Sequence, residues 1–211
     1  MRSRTVAIAV ALVSSLSLVA AACGDDDGGA IDTSSTTTTA TPAVTPTTRA
    51  DEGGIDPMSD ASTSPVSVPV PADAAGGAAL LSAVRASRHE GYDRVVFEFT
   101  TASSLPGYSV SYVDEPVTED GSGKEVDVAG DHVLLVRMEH ASGVDLTKES
   151  APQTYTGPTR FTPGTPEVTE LVRTGDFEAV LSWAIGVHDK AAFRVLTLGN
   201  PARLVVDVQN H

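Results

Sequence analysis

The sequence predicts an all-β protein in which a single compact antiparallel β-sandwich of about eight or nine strands follows a signal peptide and a disordered linker. Three observations predict this fold class. Apolar and polar residues alternate with a period of two in the carboxyl-terminal part, glycine-bearing turns separate the alternating runs, and no run has the period of a convincing helix. Composition divides the 211 residues into three parts, namely 1–22, 23–78 and 79–211.

Residues 1–22 have the composition of a lipoprotein signal peptide. Arg2 and Arg4 precede an apolar run, and three alanines stand directly before Cys23, the only cysteine of the chain. This junction resembles a bacterial lipobox, although Ala20 stands where leucine or valine is usual. The resemblance implies cleavage before Cys23 and lipidation of its thiol. We therefore predict an exported protein anchored by lipid to the outer face of the cytoplasmic membrane, in the cell wall space.

An uncleaved anchor helix is the alternative interpretation of the same segment. A helix from Thr5 to Ala22 would reach about 27 Å, just short of a bilayer core. Either way the rest of the chain lies outside, because Arg2 and Arg4 keep the N-terminus in the cytoplasm. A catalytic thiol is disfavoured, since the adjacent Asp25–Asp27 oppose a thiolate. With one cysteine, no intramolecular disulfide can form.

Residues 23–78 are predicted to be a disordered tether rich in threonine, proline and aspartate. The runs 33–48 and 64–71 are of low complexity, and residues 24–78 contain nine acidic residues and one basic residue, Arg49. Such a segment repels itself and buries too little apolar surface to offset chain entropy. A flexible coil of this length spans roughly 40 Å. It would hold a domain away from the membrane surface.

The strands of residues 79–211 follow one another along the chain. Alternation predicts strands within the segments 93–100, 107–113, 132–139, 176–187, 193–198 and 203–208. A turn at Gly199, Asn200 and Pro201 joins the last two. The segment 78–89 fits either another strand or a short amphipathic helix, because Leu80, Leu81 and Val84 suit both.

Four segments carry a resemblance to a known family. They are YDRVVFEF (92–99), PGYSVSYVDEP (106–116), GDFEAVLSWAIGV (175–187) and PARLVVDV (201–208). They resemble the AMIN-like domain of exported actinobacterial proteins, which is similar to the AMIN domain of cell-wall amidases and secretins. The resemblance covers nearly all of residues 82–209 and implies a compact β-sandwich that localises proteins at the cell envelope by binding peptidoglycan. The zinc-dependent enzyme domain of the amidases is not expected here, because the sequence ends three residues after Val208.

No motif of residues 79–211 supports catalysis or a metal site, so we predict a non-enzymatic protein without cofactors. There is no Gly-x-Ser-x-Gly, and the five histidines have no metal-ligand spacing. The carboxylates at 114, 115, 119 and 120 are interpreted as a solvated hairpin tip in preference to a calcium loop. Nineteen acidic and eleven basic residues give this part a net charge of −8, which argues against nucleic acid and anionic lipid as partners.

Ligand binding by a β-sandwich requires exposed aromatic and polar side chains. The candidates, which lie near turns or on amphipathic strands, are Tyr92, Arg94, Tyr108 and Tyr112. Tyr155 is a further candidate on the same ground. Trp183 lies on an apolar stripe and is assigned to the core. Arg94 and Asp207 lie on the polar phase of their strands, where they could line a site, but a structural pair across the sheet is favoured.

These observations lead to one expected function and two alternatives. We expect a lipid-anchored envelope protein whose domain binds peptidoglycan or a wall-associated partner. The first alternative is a docking module that localises an exported protein by pairing at an edge strand. The second, a hydrolase with an unfamiliar site, would require a pocket with paired carboxylates of strongly shifted pKa.

Overall fold

The computed structural model describes residues 58–72, 77–100, 104–113 and 116–211, and eleven β-strands run through them. The strands are β1 (Val66–Val68), β2 (Ala79–His89), β3 (Tyr92–Phe99), β4 (Gly107–Val113), β5 (His132–Glu139), β6 (Ala141–Ser142), β7 (Arg160–Phe161), β8 (Val168–Phe177), β9 (Val180–Val187), β10 (Phe193–Leu198) and β11 (Arg203–Gln209). The all-β prediction is confirmed, with more strands than expected because β1, β6 and β7 are too short to display a period. The signal peptide and Cys23 lie outside the described residues.

The segment whose secondary structure the sequence left open is a strand. β2 pairs antiparallel with β3 from Leu81 to His89, with one irregularity after Leu81. Val84 and Ala86 pack against the core, so tertiary pairing decides between the two local preferences. No helix within the described ranges is long and apolar enough to cross a membrane.

Two sheets pack face to face. The six-stranded sheet has the order β1-β4-β5-β9-β8-β7, and the five-stranded sheet has the order β10-β11-β3-β2-β6. Neighbouring strands are antiparallel apart from β2 and β6, which pair in parallel over two residues. The turn at Asn200 and Pro201 joins β10 to β11 as expected.

The core between the sheets is formed by the apolar residues of the alternating pattern in the sequence. Val95, Phe97 and Phe99 point inward from β3, and each is 1% exposed or less. Trp183 is fully buried, which confirms its assignment to the core, and its ring lies 6.0 Å from that of Phe97 and 5.8 Å from that of Tyr155. Burying a large apolar side chain of this kind contributes about 1.5–3 kcal/mol.

The outer faces of the two sheets differ. Residues 116–131 lie across the outer face of the six-stranded sheet, where a second buried cluster forms from Val117, Val128, Val133, Val172 and Ala184. The backbone N–H of residue 120 donates to the carbonyl oxygen of residue 174, which helps to hold this cover in place. Within the described ranges, no comparable buried cluster forms over the outer face of the five-stranded sheet. Side chains on that face range from Val205 and Asp207, which are 1% exposed or less, to Arg85, which is 53% exposed.

Residues 58–72 differ from the disordered linker that was predicted for 23–78. Val66 of β1 pairs with Val110 of β4, and Ser62 exchanges two backbone hydrogen bonds with Phe193 of β10, at 2.9 and 3.0 Å. Met58 is only 6% exposed. The sequence does not predict this pairing, because the three residues of β1 are too few to show a period of two. The open edges of β4 and β10 accept the segment as a partner. This segment, which we call the N-terminal strap (residues 58–72), therefore joins one edge of each sheet.

Candidate functional site

The outer face of the five-stranded sheet carries a group of polar and aromatic side chains, which we call the arginine face. Its members are Arg85, His89, Tyr92, Arg94, Glu98, Arg194, Arg203 and Asp207. Strand register brings them together. Asp207 of β11 stands directly opposite Arg94 of β3 on one side and Arg194 of β10 on the other. Side chains of directly opposed residues share a face of the sheet, so these three are neighbours.

One buried carboxylate holds two arginines. Arg94 donates from Nε to Oδ1 of Asp207 at 2.7 Å and from Nη2 to Oδ2 at 2.8 Å. Arg194 donates from Nε to Oδ2 at 3.0 Å, and its Nη2 lies 2.9 Å from the same oxygen in an ion pair. Asp207 is fully buried, whereas the two arginine side chains remain 25% and 16% exposed. The sequence-based pairing of Arg94 with Asp207 is confirmed, and its hydrogen bond raises the pKa of Arg94 despite partial burial.

Tyr92 forms an aromatic platform beside this pair. The Cζ atoms of Arg94 and Arg194 lie 5.2 and 5.6 Å from the centre of the Tyr92 ring. The ring also stacks on His89, with centroids 4.8 Å apart and planes within 6°. Guanidinium groups near an aromatic ring are within the range of cation–π attraction. An aromatic ring, stacked on His89, and positive charge thus adjoin on one partly exposed patch.

A second carboxylate on the same face also lies between two arginines. Arg85 donates from Nη2 to Oε2 of Glu98 at 2.6 Å, and Arg203 stands opposite Glu98 in the register of β11 and β3. The hydrogen bond from Arg85 lowers the pKa of Glu98, and the charge of Arg203 acts in the same direction, while burial opposes them. This group is more open than the first, since the Arg85 side chain is 53% exposed.

An apolar row separates the two charged groups. Val205 of β11 stands between Val96 of β3 and Leu196 of β10, all on the outer side of the sheet. Four of the eight arginines of residues 79–211 lie on the arginine face, against two carboxylates of its strands and that of Asp60, which lies 3.7 Å from Arg194. The face is therefore locally positive although residues 79–211 carry a net charge of −8. The net charge of residues 79–211 therefore does not indicate that one of their surfaces can attract anions.

The structure brings together two of the four predicted ligand-binding residues. Tyr92 and Arg94 lie on the arginine face, whereas Tyr108 and Tyr112 lie on β4 of the other sheet. Tyr108 belongs to the core, and burial raises the pKa of its phenol. The hydroxyl of Tyr112 donates to the carbonyl oxygen of Ala191 at 2.7 Å, and burial raises its pKa as well. Tyr155 is likewise buried.

Sequence reasoning missed the partners that complete the face. Arg194 and Arg203 lie on the polar phase of strands that the alternation predicts, and Arg85 and His89 lie on the segment 78–89, which fits either a strand or a helix. Alternation could have identified each of them as outward-facing. It could not show that β10, β11, β3 and β2 are adjacent in that order, which is what brings the side chains together.

Two cavities lie elsewhere in the described part of the chain. One, of about 300 Å³, lies beside the start of β2 and is lined by Leu80, Ser142 and Leu146 among others. The other, of about 400 Å³, is lined by Asp131, Pro166, Glu167, His188, Asp189 and His211. In the second, Oε1 of Glu167 accepts the backbone N–H of Asp189 at 2.8 Å. No group of three or more histidine, cysteine or acidic residues in the described ranges could hold a metal ion.

The family model of the AMIN-like domain matches residues 79–210. The match spans well over half of the 211 residues and includes every member of the arginine face. Neither a curated protein nor a solved structure matches the chain.

Proposed function

Because the chain belongs to the AMIN-like domain family, whose domains are binding modules typical of cell-envelope proteins, we propose that it is a lipid-anchored envelope protein that binds peptidoglycan through the arginine face. One observation carries the choice of surface. The guanidinium groups of Arg94 and Arg194 both lie within 5.6 Å of the centre of the Tyr92 ring, on a sheet face whose arginine side chains remain partly exposed. Sugar rings pack on aromatic platforms, and arginines bind the carboxylates of peptide stems.

The sequence before the strap supports the attachment. Cys23 follows the signal peptide and would carry the lipid, and residues 24–57 would form the tether. Thirty-four residues of flexible coil reach roughly 30 Å. This reach would place the module in the wall space, close to peptidoglycan and away from the lipid headgroups. The protein acts by binding, without catalysis.

Co-sedimentation with purified peptidoglycan sacculi tests the proposal. The mature chain, residues 23–211 with Cys23→Ser to prevent lipidation, should sediment with the sacculi. Tyr92→Ala should weaken binding at least fivefold, because it removes the platform. Phe177→Ala is the matched control, since Phe177 is a 57% exposed aromatic residue of the six-stranded sheet. Complete recovery of the unsubstituted chain in the supernatant would overturn the proposal.

A docking module that pairs with a partner strand is the second candidate, and one observation favours it. In the described part of the chain, β6 pairs only with Ala79 and Leu80 of β2, so the rest of that edge of β2 lacks a strand partner. Crosslinking from Ser87 of β2 in native envelopes should then trap one protein, and soluble peptidoglycan fragments should not compete. Competition by those fragments would favour the first proposal.

A further inference from the structure

The arginine face contains two pairs of arginines, and each pair flanks one carboxylate. Arg94 and Arg194 share the carboxylate of Asp207, and Arg85 and Arg203 flank the carboxylate of Glu98. One carboxylate cannot neutralise two guanidinium groups, so the strands leave one positive charge at each pair, and at the first pair the exposed Asp60 of the strap lies 3.7 Å from Arg194. The repetition produces two separate cationic positions on one surface.

The two positions are separated by a fixed distance. Asp207 and Arg203 are four residues apart on β11, and a strand rises about 3.3 Å per residue, so the pairs lie about 13 Å apart. The row of Val96, Val205 and Leu196 fills the space between them. A ligand that reaches both pairs must therefore be extended and must cross an apolar strip.

The buried carboxylate orients the arginines before any ligand arrives. Arg94 and Arg194 both use Nε and Nη2 to bind Asp207, which leaves Nη1 of each directed away from that carboxylate. Nη1 of Arg194 lies 3.7 Å from Asp60, whose side chain is 68% exposed. An exposed carboxylate at that distance is easily displaced, because surface ion pairs contribute little. Displacement of Asp60 would free Nη1 of Arg194 for an incoming anion.

From this geometry, and resting on the proposed function, we propose that the arginine face selects wall polymers by their anionic groups, binding one oxyanion at each arginine pair. The shared chemistry is a singly charged oxyanion that accepts guanidinium hydrogen bonds. Stem-peptide carboxylates are one source, and the phosphodiesters of wall-attached polymers are another. Neutral glycan contributes only the packing against Tyr92 and the apolar row.

Chemically altered sacculi separate these possibilities. Four preparations are used: untreated sacculi, sacculi whose carboxyl groups are amidated with carbodiimide and ammonia, sacculi stripped of phosphate polymers by dilute acid, and sacculi treated in both ways. The affinity of the mature chain should fall at least tenfold on the doubly treated material. Loss on amidation alone identifies carboxylates, and loss on stripping alone identifies phosphodiesters.

The failures of the two proposals are distinguishable. Equal binding to untreated and doubly treated sacculi would overturn anion selection while leaving peptidoglycan binding intact. The absence of binding to all four preparations would overturn the proposed function itself. Retained folding of each variant is checked by thermal unfolding before binding is compared.

A variant of the more exposed pair gives a second measurement. Arg203→Gln should weaken binding to untreated sacculi at least threefold and should reduce the loss of affinity between low and high salt, because one screened charge interaction is removed. Arg137→Gln is the matched control, since Arg137 is 43% exposed on the six-stranded sheet. An unchanged salt dependence in Arg203→Gln would contradict anion binding at that pair.

Discussion

Asn210 donates a hydrogen bond from Nδ2 to Oδ1 of Asp93, 2.6 Å away. Oδ2 of the same carboxylate accepts the backbone N–H groups of Glu167 and Val168, at 2.7 and 3.0 Å. Asp93 is fully buried, and a buried carboxylate is tolerated only where donors surround it. One side chain thus joins the start of β3, the entry to β8 and the end of the described chain after β11.

Replacing Asp93 should therefore be costly. Asp93→Ala leaves two backbone N–H groups and one amide without their acceptor, and we expect the free energy of unfolding to fall by about 3 kcal/mol or more. Urea unfolding followed by circular dichroism measures the change. Asp131→Ala, at an exposed aspartate, should change stability by less than about 0.5 kcal/mol. Similar losses in the two variants would contradict the role given to Asp93.

The two carboxylates of the arginine face should differ in their contribution to stability. Asp207→Asn removes a fully buried charge and leaves two guanidinium groups in contact, so we expect a loss of about 3 kcal/mol. Glu98→Gln, at a side chain that is 24% exposed, should cost about 1 kcal/mol or less. Urea unfolding of both variants gives the comparison. A larger loss in Glu98→Gln would show that burial does not set the difference.

Glu167 should oppose folding at neutral pH. Burial raises its pKa, and the charges of Asp189 and Asp93 act in the same direction, so the folded state binds the proton more tightly than the unfolded state. This contribution to stability is present below the ordinary value of 4.5 and is lost as the pH rises through the raised pKa. Glu167→Gln should therefore have a higher Tm than the parent at pH 7, with the difference shrinking toward pH 4.

The control for that profile is Glu139→Gln, because Glu139 is exposed at the end of β5. Its Tm is measured at the same pH values, so that the effect of replacing an exposed glutamate is known. Thermal unfolding at half-unit intervals of pH resolves both curves. A Glu167→Gln curve parallel to that of the parent would contradict the pKa direction.

The strap should contribute to stability although its composition is that of a linker. Ser62→Pro removes the N–H that donates to the carbonyl oxygen of Phe193 at 3.0 Å, and we expect a loss of about 1–3 kcal/mol. Ser59→Pro is the control, because Ser59 is the second residue of a turn closed by the hydrogen bond from Ala61 to Met58, where proline is favoured. Chemical unfolding of the full chain compares them. Equal stability of the two variants would show that the strap does not hold β10.

The sequence allowed the inside of the protein to be predicted better than its surface. The alternation of Val95, Phe97 and Phe99 and the apolar stripe of Trp183 predicted buried positions, because burial follows the local period. The phase of Arg94 and Asp207 also predicted a pair. For Tyr108 the period was visible but did not show which phase points inward, since that depends on the opposite sheet.

Local sequence patterns could not predict contacts between segments that are distant along the chain. Arg194 joins the arginine face through the order and register of β10 and β11, and no pattern within either strand encodes that order. Val66 is paired because an edge of β4 is open to it, which is a property of β4 and not of residues 64–71. The period of two predicted the fold class and the family resemblance agreed with it, whereas the register of the strands is what assembles the site.

The position of the strap determines how the module would bear mechanical load. Under the proposed function, a pull between a membrane-held N-terminus and a wall polymer on the arginine face would act first on the few hydrogen bonds of Ser62 and β1. These bonds would yield before the long ladders of the central strands. Detachment of the strap would then lengthen the flexible tether by up to fifteen residues while the sandwich stayed folded and bound. The strap would thus extend under force before the domain unfolds.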